Sequence, residues 1–123
     1  ENNVVELARR DTLEKKSIPM DKITNHIKII LEDIQNNLFD RAHSFRDEHI
    51  TAVETFDEFK SILSSKGGFI SAHWDGTNET EQSIKKETKA TIRCIPFSKN
   101  IKAGHCVYSG KPSPQRVLFA KAY

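Results

Sequence analysis

Cysteine is scarce in this chain: Cys94 and Cys106 are the only two among 123 residues. Two thiols are too few for a disulfide scaffold, and the plain expectation is reduced thiols in a cytoplasmic protein. Long apolar runs are missing as well, which excludes a transmembrane helix. No basic leader followed by an apolar stretch opens the chain, so no secretory signal is read. Repeats and low-complexity tracts are absent. So are the patterns G-x-x-x-x-G-K-[ST], G-x-G-x-x-G, H-E-x-x-H and G-x-S-x-G, with the phosphate-cradling, zinc-protease and serine-hydrolase chemistry each would imply.

What is present suits a soluble protein with a modest core. Apolar residues make up 37% and charged residues 29%, with seven Phe and one Trp, a balance that argues against disorder. The length allows one domain, or one small domain plus part of another. The first residue is Glu1 rather than Met, so the expectation is a piece of a longer protein. The net charge of +2 hides an asymmetry. Residues 1–48 hold 8 Lys+Arg against 10 Asp+Glu, and residues 49–123 hold 11 against 7. A mildly basic second part is compatible with RNA contact without establishing it.

Along the chain, VVELARR (residues 4–10) is β-branched at its start and reads as a strand. RRDTLEKKS reads as charged, turn-like sequence up to Pro19. From about Met20 to Glu48, Ile23, Ile27, Ile30, Leu31, Ile34, Leu38, Ala42 and Phe45 recur at spacings of three and four. That is one stripe of a long helix, a rod of about 40 Å, long enough to bridge two bodies or to pack across one.

The second part is more regular. HITAV is a short strand. Thr55 with Glu58 three residues on is a capping-box pattern ahead of the helix FDEFKSILSS, and Gly67-Gly68 ends that helix. GFISAHW is a strand, and Asn78 can cap a second helix to about Lys89, with Glu79 and Glu81 at its positive end. TIRCIPF is a strand stopped or pushed to an edge by Pro96, and CVY, the turn SGKPSPQ and RVLFAKAY form a hairpin. The order β-α-β-α-β-β predicts an α+β fold: a two-layer α/β sandwich over residues 49–123, preceded over 1–48 by a strand and a long helix.

Several residues could carry chemistry, and each has a plainer reading. Gly67-Gly68 is a helix terminator before it is a phosphate cradle. His26 and His43 on the long helix fit surface or packing roles better than ligand roles. Cys94, between Arg93 and Ile95, reads as a small core residue. HWDGTNETEQ (73–82) and HCVYSG (105–110) are two polar turns, each entered by a histidine. His73, Asp75, His105 and Cys106 are the one set that could be tried as zinc ligands. Adjacent His105 and Cys106 point to opposite sides of a strand, which makes shared ligation awkward. Spacing leaves open a weak metal site, a site that has lost its metal, and two ordinary turns.

GGFISAHWDGTNETEQSIKKETKATIRCIPF and GHCVYSGKPSPQRVLFAKAY together resemble the C-terminal end of prolyl-tRNA synthetases of the archaeal and eukaryotic type, which also occurs in many bacteria. NNVVELARRDTLEKKSI resembles the last strand of their anticodon-binding domain, and the long helix resembles the connector after it. The resemblance spans essentially the whole chain, with ATIRCIP and GKPS…VLFAKAY its most specific motifs.

The resemblance implies a class II parent enzyme that uses ATP and magnesium to activate proline and esterify it to proline tRNA. The parent would be a homodimer in the cytoplasm, with its catalytic domain upstream and no membrane association. Residues 1–48 would be the end of the anticodon-binding domain and its connector. Residues 49–123 would be the appended C-terminal domain, similar in fold to the C-terminal part of bacterial initiation factor three. Many relatives hold zinc there with four cysteines, whose positions fall here on Asp75, Thr80, Cys106 and Ser109. Only one is a thiol, so no zinc is expected. Asp75, Thr77 and Asn78 are then suited to cap the following helix, and Ser109-Gly110 to make the hairpin turn. The terminal Tyr123 would bring its carboxylate near the parent's active site, although the plainer reading is a last residue completing a strand. Arg9, Arg10, Lys15 and Lys16 are candidates for tRNA phosphate contact, against a plainer role as solvated charges. The readings from other classes are a stand-alone RNA-binding module, and a small enzyme using Cys106 with His105.

Overall fold

Near the N-terminus a hairpin forms where the sequence suggests a single strand. The computed structural model describes residues 3–97 and 102–122, and the chain divides into two compact units, Glu1–Arg46 and Asp47–Tyr123. In the first, β1 (Val4–Ala8) pairs antiparallel with β2 (Lys15–Pro19). The loop between them closes with the Arg9 amide donating to the Glu14 carbonyl at 2.8 Å. The stretch read as turn-like up to Pro19 is therefore partly a strand. Its only core residue is Ile18, opposite Val5 and buried. A five-residue strand with one apolar side chain and a proline at its end has almost no alternation to detect.

A 3₁₀ turn (Met20–Lys22) leads into α1 (Ile23–Glu48). Ile27, Ile30, Leu31, Ile34 and Leu38 line an open groove with Leu7 and Ala8 of β1. The helix buries none of its residues, and Leu31, Phe39 and Phe45 are all more than 60% exposed. Among the described residues no helix is long and apolar enough to cross a membrane.

The second unit is the two-layer sandwich. Its elements are β3 (Ile50–Ala52), α2 (Phe56–Ser65), β4 (Phe69–His73), α3 (Asn78–Thr88), β5 (Ala90–Cys94), β6 (Gly104–His105), β7 (Pro112–Ser113) and β8 (Arg116–Lys121). The four-stranded sheet runs β3-β4-β8-β5. β3 is parallel to β4, as the α2 crossover requires, and β8 lies antiparallel between β4 and β5. Helix α2 starts where the capping box places it. The Glu58 amide donates to Thr55 Oγ1 at 3.2 Å, and Glu58 Oε2 accepts from the Thr55 amide at 3.2 Å. Phe59 and Ile84 of the helices close over Ile70, Ala72, Val117 and Phe119 of the sheet, and Phe59 meets Phe119 edge-on at 5.2 Å.

Three expectations change here. Cys94 is exposed rather than in the core. Ile92 faces Phe119 and Cys94 faces Leu118, a register shift between them that moves Cys94 to the face away from the helices. The expected hairpin is also re-partnered: β6 pairs with β7 as a small separate ribbon, and β8 inserts between β4 and β5. The N-cap of α3 is Thr77, with Asn78 the first helical residue, because the Thr77 hydroxyl accepts from the Thr80 amide.

Candidate functional site

The two polar turns meet. Asp75 follows β4, and both its carboxylate oxygens are occupied. Oδ1 accepts from the Thr77 amide at 3.0 Å and the Thr77 hydroxyl at 2.8 Å. Oδ2 accepts from Thr80 Oγ at 2.8 Å and from Ser109 Oγ at 2.6 Å. The first three contacts are local, made within the turn that starts α3. The fourth comes from the β6–β7 ribbon, 34 residues along the chain. Burial works against ionisation of Asp75, but the hydrogen bonds from Ser109, the Thr77 amide, Thr80 and the Thr77 hydroxyl outweigh it. They hold its pKa at about 2.

The ribbon is fastened at further points. The Cys106 amide donates to the Lys111 carbonyl and the Gly110 amide to the Cys106 carbonyl, closing the turn, while the Val107 amide donates to the His73 carbonyl at 3.0 Å. Tyr108 packs edge-on against Phe56 of α2 at 4.9 Å and donates its hydroxyl to Glu87 of α3 at 2.8 Å. One ribbon residue thus ties both helices. Cys106 is buried with 3% exposure, and His105 beside it is exposed. The two side chains part at the end of β6, one exposed and one buried.

His73 is buried under the ribbon. Ser113 Oγ accepts from the Trp74 amide at 3.1 Å and donates to the Gln115 carbonyl at 3.0 Å. Its single proton is then used, so the 3.2 Å contact with His73 Nδ1 requires the imidazole to carry hydrogen on Nδ1. Burial, together with the positive Arg116, pushes the His73 pKa down against a smaller opposing pull from Glu54. Arg116 itself donates to the Val53 and Ser71 carbonyls at 2.9 and 2.7 Å and pairs with Glu54. Ser113, Arg116 and Tyr108 were not singled out from the sequence. Their partners lie far away in the chain, and no local pattern marks them.

In the first unit, Arg9 lies against two carboxylates. Its Nε and Nη2 donate to both oxygens of Asp11 at 3.0 and 2.6 Å, and its Nη1 pairs with Asp33 of α1. Asn37 donates to Asp11 Oδ2 at 2.7 Å. Hydrogen bonds from Arg9, then from Asn37, hold the Asp11 carboxyl far below the usual range, and those to Asp11 and Asp33 raise the Arg9 guanidinium. Arg10, Lys15 and Lys16 are exposed, with Lys15 3.7 Å from Glu6. Tyr123 lies outside the described residues.

A family model described as "Prolyl-tRNA synthetase, C-terminal" matches residues 56–123. The chain belongs to that family. A proline–tRNA ligase of Christiangramia forsetii is 58% identical over 123 residues, which is all of this chain and 25% of that protein. A proline–tRNA ligase of Flavobacterium johnsoniae is 57% identical with the same coverage. The crystal structure of prolyl-tRNA synthetase from Cryptosporidium parvum, complexed with L-proline and AMP, superposes with a TM-score of 0.90 at 30% identity. That match covers 99% of this chain and 26% of the other. The chain therefore spans about a quarter of the length of the curated relatives it matches.

The zinc that the family resemblance implies requires thiolate or imidazole donors. At the corresponding positions Thr80 and Ser109 spend their hydroxyl hydrogens on Asp75, and Asp75 has donors at both oxygens. Among the described residues no group of three or more His, Cys, Asp or Glu side chains could hold a metal ion. This donor set does not fit a structural zinc.

Proposed function

We propose that this chain is the C-terminal part of a proline–tRNA ligase, an ATP- and magnesium-dependent enzyme, and that it serves that enzyme as a non-catalytic brace. The observation that carries the reading is the 58% identity to a proline–tRNA ligase along the entire chain. Residues 1–48 are then the end of an anticodon-binding domain with its connector, and residues 49–123 the appended domain. The exposed Leu31 and Phe39 of α1 and the groove along that helix support this, because an exposed apolar patch of that kind marks a surface that packs on further protein.

Within this reading the knuckle works without zinc, its turns held by the Asp75 hydrogen bonds. Contact with tRNA phosphates falls to the exposed Arg10, Lys15 and Lys16. Arg9, held by Asp11 and Asp33, orients the end of β1. The Tyr123 carboxylate sits near the active site of the parent, which acts as a cytoplasmic homodimer.

The test is to express the complete gene product and the 123-residue chain separately. The complete protein should catalyse proline-dependent ATP–pyrophosphate exchange and charge proline tRNA, and the isolated chain should do neither. A complete protein without proline-dependent exchange overturns the assignment. Unchanged aminoacylation after deletion of Tyr123 removes the role of the terminal carboxylate.

A further inference from the structure

We propose that the Asp75 carboxylate is the organising centre of the knuckle, an anion that gathers by hydrogen bonds the turns to which the resemblance assigns zinc ligands. The inference deepens the zinc-free reading above and rests on it. A zinc knuckle gathers thiolates around a positive ion. Here the sign is inverted: a single negative group is surrounded by hydrogen-bond donors. Three of the four positions that correspond to zinc cysteines, 75, 80 and 109, converge at a single carboxylate, and the first of them is the hub itself.

The two tasks of a metal, one local and one long-range, are both met at Oδ2. Thr80 fixes the first turn of α3 to it, and Ser109 fixes the ribbon to it. Hydrogen bonds to an ionised acceptor are about twice as strong as neutral ones, which suits a carboxylate rather than an amide for the role. The anion also lies just ahead of α3, where the helix dipole favours negative charge. The fourth position, Cys106, has no part in the hub. It is buried and packs as a small apolar residue.

The geometry makes two predictions that a merely convenient Asx turn does not. First, Ser109 and Asp75 are energetically coupled. Ser109→Ala should lower the thermal midpoint of the chain by about 4–8 °C and do so far less in an Asp75→Asn background. Additive effects would refute the hub while leaving the zinc-free reading intact.

Second, the hub is convertible. The triple variant Asp75→Cys, Thr80→Cys, Ser109→Cys, with the native Cys106, should take up about one zinc per chain. With cobalt it should give the absorption of a tetrahedral thiolate site. If it is unfolded without metal and folds on zinc addition, that supports convergence equally. A triple variant that is folded by circular dichroism yet takes up neither ion shows that the positions do not converge, and overturns the proposal. Zinc by elemental analysis in the unaltered chain would instead remove the zinc-free reading on which it rests.

Discussion

Gly104 offers the sharpest check on how the ribbon seats against the sheet. Unlike Gly67, Gly68, Gly76 and Gly110, it does not sit at positive φ, so an alanine there meets no backbone strain. It meets the His73 ring instead: a Cβ at position 104 would lie 2.5 Å from Nε2, 2.7 Å from Cδ2 and 2.8 Å from Cε1. The ring has little room to retreat, because its other nitrogen is held by Ser113 and the residue is 7% exposed. Overpacking of this kind costs about 1–3 kcal/mol. The loss of a glycine from the unfolded chain returns about 0.4–1 kcal/mol. A net destabilisation of about 1.3 kcal/mol follows, between bounds of about 0 and 2.6, or a fall of about 5–10 °C in the thermal midpoint for a unit of this size. Urea unfolding of Gly104→Ala, His73→Ala and the double variant measures it. The alanine at 104 should be harmful alone and close to neutral once the ring is gone. A neutral Gly104→Ala in the unaltered background would mean that the ribbon does not lie over His73, and the Ser113–His73 arrangement would fall with it.

Other consequences follow from the same contacts. Thr55→Ala should destabilise by about 1 kcal/mol in urea unfolding, since it removes one half of the capping box that starts α2. Phe119→Ala should cost about 3–5 kcal/mol and Phe119→Leu much less, because the ring is fully buried on the central strand against Phe59. A midpoint unchanged by Phe119→Ala would contradict the placement of β8 between β4 and β5. His73 has its folded pKa lowered, so its contribution is complete above the unfolded value of about 6.5 and is lost as pH falls through and below it. His73→Gln should flatten stability over that window, and a pH profile identical to the unaltered chain would argue against a buried neutral imidazole. Incubation with a strong chelator should leave the thermal midpoint of the unaltered chain unchanged, read by circular dichroism, whereas a fall would indicate bound metal.

Local signals in the sequence were reliable where the determinants are local. The boundaries of α2 follow from Thr55, Glu58 and the glycines after Lys66, all between positions 55 and 68. The apolar stripe on α1 and the alternation in β4 are equally local, and both elements form as their spacing implies. What escaped was set at a distance or by a single irregularity. Strand β2 carries one apolar residue, so only its pairing with β1 defines it. Cys94 changes face because of one register shift beside it, which no alternation rule anticipates. Capping by Thr77 instead of Asn78 is a displacement of one residue within the same turn. The hydrogen bond from Ser109 to Asp75 joins segments that share no period; only the family resemblance puts both positions at one site, and it gives no sign of a direct bond between them.

Why the β6–β7 ribbon is held so firmly follows from what hangs on it. The β6–β7 ribbon has two residues per strand, and a hairpin of that size is not stable unaided. It is held by Asp75 through Ser109, by the His73 carbonyl through Val107, and by both helices through Tyr108. The chain leaving the ribbon passes Ser113, which fastens Trp74, His73 and Gln115. It then reaches Arg116, which fastens Val53 and Ser71. Only after these does β8 enter the middle of the sheet with Val117 and Phe119 in the core. If the hub is lost, the lead-in to the central strand loses one of its anchors, and the damage is carried into the core. A surface turn that merely capped α3 would not behave this way. Slowed exchange of the β8 amides should therefore weaken in Asp75→Asn as well as that of residues 104–113, and protection of β8 left intact would confine the role of the hub to the ribbon.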